Sequence, residues 1–235
     1  MLLLSGCSFV DNPYMPDIVR PGRDQLLIVG QGGAGNAWIS RGILENIQQA
    51  DNVLVLWSGF SRLDIEVPAE MIGDVKTYYD DNTTPYHYTK SKSSIWFHSG
   101  GWDGTWCNWT RTRYATYMYK LMQSQYKSLN WDHHTDKNLI AIAGCLNTLE
   151  AKGIPYKYGF ICDIFKDYGT IQGSLGGAVS RDNPLLDLLN KEHCLSSSPY
   201  DYCSENNLLS GDRFHPSELG YNKWWNSVKH EVPFL

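Results

Sequence analysis

The run Asn52-Val-Leu-Val-Leu-Trp57 is short, and it is continuously apolar after its first residue. Such a run reads as a β-strand covered on both faces, the kind of strand found in a parallel sheet packed between helices. Leu2–Leu4, Gln25–Val29 and Tyr156–Cys162 read as further strands. Helical patterns lie between them. One runs from Asn36, a suitable cap, to about Ala50, with Ile39, Ile43 and Ile47 on one face. Others span Thr135–Lys152, closed by Gly153, then Asn183–His193 and Pro216–Val228. Strands alternating with helices predict an α/β fold: a three-layer α/β/α sandwich around a short parallel sheet, flavodoxin-like in outline.

The rhythm breaks between about Val67 and Trp131. The expected organisation is one domain, residues 1–235, in which residues 67–131 form an aromatic-rich insertion, part loop and part helix (Arg111–Tyr126). Aromatic residues make up 13% of the chain, with 9 Trp and 15 Tyr, which is heavy for a core alone and points to a ring-lined binding surface. Trp96, Trp102, Trp106 and Trp109 fall close together among Gly100, Gly101 and Gly104. Rings on such loops suit the flat apolar faces of sugars, so Trp102 and Trp106 are candidate polysaccharide contacts.

Charge and patterning exclude several classes. The net charge of −5 offers no basic footprint for nucleic acid. No apolar run approaches the roughly 20 residues of a membrane span. Leu4-Ser-Gly-Cys7 spells a lipoprotein cleavage box, but only six residues precede the cysteine, so cytoplasmic synthesis without a signal peptide is expected. The six cysteines form no CxxC pair and read as free thiols, with Cys194 and Cys203 placed to bridge only in an exported protein. His133 and His134 are adjacent and lack a carboxylate-rich motif, so no metal site is expected. Gly30-x-Gly32-x-x-Gly35 matches a dinucleotide fingerprint, yet no acidic residue ends the following strand, and no cofactor is expected.

Four segments fall where an α/β fold places chemistry, at the C-terminal ends of strands or ahead of the last helix. They are Gly6-Cys-Ser8-Phe9, Gly30–Asn36, Trp57-Ser-Gly-Phe-Ser-Arg62, and Asp212-Arg-Phe-His215-Pro216. A serine hydroxyl becomes a useful nucleophile when a histidine takes its proton, and that histidine needs a partner on its other nitrogen. Ser8, His215 and Asp212 have the residue types for these three roles.

In this order the segments resemble the SGNH (GDSL-type) hydrolases. Gly6-Cys7-Ser8 matches the family's first block with Cys for the usual Asp, Gly35 sits at the second block, and Asp212-x-x-His215-Pro216 matches the last in full. The resemblance covers both ends of the chain but not residues 67–131. It implies an ester hydrolase in which Ser8 attacks, His215 is the base and Asp212 orients it. The N–H groups of Ser8 and Gly35, with the Asn36 side chain, would hold the oxyanion. The third block departs from the pattern: Gly59-Phe60-Ser61-Arg62 stands where the family has Gly-x-Asn-Asp, so Ser58, Ser61 and Arg62 become the candidate substrate contacts there. The Gly-Cys-Ser-Phe start and Trp-Ser third block are similar to those of phage-encoded members. That likeness implies a viral origin. The expected activity is hydrolysis of an ester such as an O-acetyl group on a glycan; the alternative, favoured by the divergent third block, is a non-catalytic binding or structural protein of the same fold, for example a virion component with other virion proteins as partners.

Overall fold

The computed structural model describes residues 1–21, 24–68, 88–90, 94–98, 115–168 and 179–235. In chain order its elements are β1 (Leu2–Gly6), α1 (Met15–Val19), β2 (Leu26–Gly30), α2 (Asn36–Asn46), β3 (Asn52–Trp57) and β4 (Asp64–Pro68). They continue with β5 (Tyr88–Lys90), β6 (Ser94–His98), α3 (Ala115–Ser128), α4 (Trp131–Ala151), β7 (Tyr156–Phe160), α5 (Pro199–Glu205) and α6 (Glu218–Val228).

Four strands form a parallel sheet in the order β2-β1-β3-β7. Every residue of β1 is buried, and so is β3 from Val53 to Trp57, so both faces of the central strands are covered. This is an α/β fold. Ile39, Ile43 and Ile47 are buried as one stripe, and α2 packs on β1, β2 and α4. From α4, Leu139, Ile142, Leu146 and Leu149 join the same core. Helix α4 stops where glycine was expected to stop it: Gly153 has φ +66, its N–H reaches Glu150 O at 2.9 Å, and Ile154 N reaches Leu149 O at 3.0 Å. Among the described residues no helix is long and apolar enough to cross a membrane.

The register sets the height of the mouth loops. Gly6 lies opposite Gly30 on one side and Leu56 on the other. Two residues further along, Ser8, Gly32 and Ser58 each leave the sheet at the same end.

Several elements differ from expectation. Asn183–His193 is two 3-10 turns, Pro184–Leu188 and Lys191–His193, rather than one helix. Asn183 and Asn190 each accept, on the side-chain oxygen, the N–H two residues ahead, which starts a new turn instead of continuing a helix. Helix α4 begins four residues early because the Asn130 side chain caps it through His133 N. The stretch read as loop and helix does carry the helix α3, but also strands: β4, β6 and β5 make an antiparallel sheet in that order. Trp102, Trp106 and Trp109 lie outside the described residues. The described cysteines are free, Cys194 and Cys203 included.

Candidate active site

Ser8 is lifted from the sheet by a tight turn. Val10 N and Asp11 N both donate to Cys7 O at 2.9 Å. The turn needs glycine at position 6, because a Cβ there would stand 2.7 Å from Val10 Cγ2 and 2.8 Å from Leu56 O.

The opposite end of the chain supplies a closed loop. Leu209 and Pro216 pair as an antiparallel bridge, Ser210 N donates to His215 O at 2.7 Å, and Arg213 N donates to Ser210 O at 3.0 Å. Arg213 takes φ +59, a left-handed turn uncommon outside glycine. Ser217 then caps α6 by accepting from Gly220 N at 3.1 Å. Inside the loop, Asp212 Oδ1 accepts from Ser210 Oγ (2.6 Å), Phe214 N (2.8 Å) and His215 N (2.9 Å). These bonds aim Oδ2 at His215 Nδ1, 2.7 Å away. His215 Nε2 lies 2.8 Å from Ser8 Oγ. Phe9 and Phe214 flank the imidazole, with centroids 5.1 and 4.8 Å from it.

Electrostatics fix the proton positions. Burial alone would raise the Asp212 pKa, but hydrogen bonds from Ser210, the His215 ring and the two backbone N–H groups outweigh it and hold the carboxyl well below the usual range. Burial also disfavours the charged form of His215; Asp212 opposes this, the Arg62 charge adds to it, and the pKa ends below 6.5. A neutral imidazole beside an ionised carboxylate carries its proton on Nδ1. Nε2 is then the acceptor for the Ser8 hydroxyl proton. The arrangement can make serine nucleophilic at neutral pH.

Compared with protein-family models, curated proteins and solved structures, the chain matches none.

The two remaining oxyanion candidates are engaged elsewhere. Gly35 N–H donates to Asp64 Oδ1 at 2.9 Å, and Trp38 N–H donates to Asp64 Oδ2 at 3.0 Å. The Asp64 carboxylate thus occupies the N-terminus of α2, where the helix dipole and free N–H groups favour an anion. A Cβ at Gly35 would stand 2.8 Å from Asp64 Oδ2. Gly32 N donates likewise to Asp11 Oδ2 at 2.9 Å. The glycine fingerprint therefore closes around the protein's own carboxylates.

Asn36 is the first residue of α2 rather than its cap, and its side chain is buried. Oδ1 accepts from Ser58 N (2.8 Å), while Nδ2 donates to Ser58 O (3.2 Å) and Asn138 Oδ1 (3.0 Å). Both amide protons are spent, so Asn36 clamps the loop after β3 and has no proton left for an oxyanion. Ser8 N–H has no acceptor among the described residues.

Ser58, Ser61 and Arg62, expected as substrate contacts, are all buried in the loop after β3. Asp64 and Asn138, which hold the glycine loop and this loop in place, were not legible in the sequence. The hint for Asp64 was a glycine fingerprint at a helix start that lacked the acidic residue expected at the end of the next strand.

Proposed function

We propose that this protein is a serine esterase of the SGNH type, built as the family's three-layer sandwich. The observation that carries the reading is the continuous hydrogen-bonded line from Ser8 Oγ through His215 to Asp212. Ser8 Oγ adds to the ester carbonyl carbon as His215 Nε2 takes its proton. The tetrahedral intermediate then collapses, the carbon–oxygen bond to the alcohol breaks, and His215 returns the proton to the leaving alkoxide. Water attacks the acyl-serine by the same route, which frees the acid and restores Ser8. Candidate substrates are O-acyl groups on a glycan, on account of the tryptophan-rich insertion.

One observation favours a second reading, a non-catalytic protein of the same fold such as a virion component: Gly35 N–H and the Asn36 amide are not available as oxyanion donors.

A fluorophosphonate probe separates the two. Labelling that maps to Ser8, lost in Ser8→Ala together with hydrolysis of 4-nitrophenyl acetate but without a change in melting temperature, is the esterase result. Undiminished turnover in Ser8→Ala, or labelling at the buried Cys7, overturns it.

A further inference from the structure

Three buried side-chain polar atoms have no partner among the described residues: Trp57 Nε1, Ser58 Oγ and Arg62 Nε. All three fall in one short stretch leaving β3. Buried polar atoms are seldom left unpaired, and a cluster of them calls for an explanation, a catalytic role among them. Only Arg62 among them carries a charge. It is 3% exposed, and no ion pair joins it to a carboxylate among the described residues.

The position of its guanidinium follows from the topology. Arg62 springs from the loop after β3, and its Nη1 donates to Ala34 O, 3.1 Å away, on the loop after β2. Strand β1 lies between β2 and β3. The bond from Arg62 to Ala34 therefore joins the two loops that flank the turn presenting Ser8. Its charge acts on His215 and on Cys162, which agrees with a place among the mouth loops.

We infer that Arg62 is a charged oxyanion donor, facing the carbonyl oxygen of an ester held at Ser8. The inference rests on the serine-esterase reading and supplies what that reading lacks, since Gly35 N–H and the Asn36 amide are committed elsewhere. As Ser8 Oγ bonds to the carbonyl carbon, the π pair moves onto oxygen and the hydroxyl proton goes to His215 Nε2. The new negative charge meets Arg62 and the Ser8 N–H. When the carbonyl re-forms, the pair returns and the alcohol leaves with the proton from His215. A buried cation suits this task because its interaction grows as charge develops and it is already in place before the reaction begins.

The test compares the intact protein with Arg62→Met, Arg62→Gln, Arg62→Lys and Ser8→Ala. Phenylboronic acid is the probe, since it adds to a serine hydroxyl to give an anionic tetrahedral adduct. Its affinity is read by calorimetry, beside turnover of 4-nitrophenyl acetate. Arg62→Met is expected to lower kcat by about 10²–10³ with little change in KM. It should also weaken boronate binding at least tenfold. Arg62→Lys should keep most of both. Should Arg62→Met fail to fold, Arg62→Gln against Arg62→Lys separates charge from packing. The acid limb of the rate profile should move to higher pH in the uncharged variants, because Arg62 and Asp212 are the charged groups that act on His215. If Arg62→Met and Arg62→Gln stay within twofold of wild type while Ser8→Ala loses turnover and boronate binding, Arg62 only tethers Ala34 and the inference falls alone. If Ser8→Ala retains both, the esterase reading falls and this inference with it.

Discussion

His215 Nε2 stands 2.8 Å from Ser8 Oγ although 207 positions of chain separate the two residues. The contact is assembled by two independent turns. One leaves β1 at Gly6, and the other is closed by the Leu209–Pro216 bridge ahead of α6. Each turn is held by backbone bonds of its own, and together they set the serine and its base within hydrogen-bond reach.

The pH dependence follows from His215. The base works only when neutral, and burial places its pKa below 6.5 despite Asp212. We expect kcat/KM for 4-nitrophenyl acetate to be flat at neutral pH and to fall on an acid limb centred below 6.5. Stability should fall in the same direction. A histidine with a lowered native pKa contributes stability that is complete above its unfolded value and is lost as pH drops towards the native one. Asp212 behaves alike at lower pH, its contribution being lost as pH falls below 3.8. A rate profile centred above 7 would contradict a buried neutral base. Urea titrations between pH 4 and 8 check the stability arm.

Asp64 should matter for stability more than its position on the small sheet suggests. Its carboxylate accepts from Gly35 N–H and Trp38 N–H at the start of α2. Asp64→Ala leaves both donors unmatched and is expected to cost about 1–3 kcal/mol. Asp64→Asn, which keeps an acceptor, should cost less. Chemical denaturation reads both. An unchanged midpoint in Asp64→Ala would mean that water replaces the carboxylate without penalty.

The insertion sets a kinetic expectation about substrate. Trp102→Ala combined with Trp106→Ala should impair deacetylation of an acetylated glycan at least tenfold more than hydrolysis of 4-nitrophenyl acetate, because stacking rings contribute only where a sugar is present. Equal losses on the two substrates would assign these indoles to holding the fold.

Much of the sheet was legible in advance because buried strands carry their own signature. Leu2–Leu4, Asn52–Trp57 and the Ile39/Ile43/Ile47 stripe have the apolar patterns that burial demands, and each is found in the sheet or on the face it implies. Gly153 marked a helix end because its backbone conformation is a local matter. Asn183–His193 was misread because its apolar spacing is compatible with a helix, while the turns are set by the Asn183 and Asn190 side chains competing for the backbone. Strands β5 and β6 were missed because they are only 3 and 5 residues long, and a run as short as Ile95-Trp96-Phe97 does not separate a strand from other buried segments by its pattern alone.

The site divides along the same line. The sequence alone determined which residue types stand at the mouth: a serine after the first strand, a glycine-rich turn after the second, an arginine after the third, and an Asp-x-x-His-Pro before the last helix. Those are facts of order and spacing. Only the tertiary structure decided where each N–H points and which charges meet. Gly35 and Asn36 lie where an oxyanion donor is expected, yet Asp64 and Ser58 claim their protons. Arg62 gave no sign in the sequence of being buried, or of bonding to Ala34 in the loop after β2. A hydrogen bond has a direction and a short reach, so its partner is chosen by folded neighbours that the linear order holds far apart.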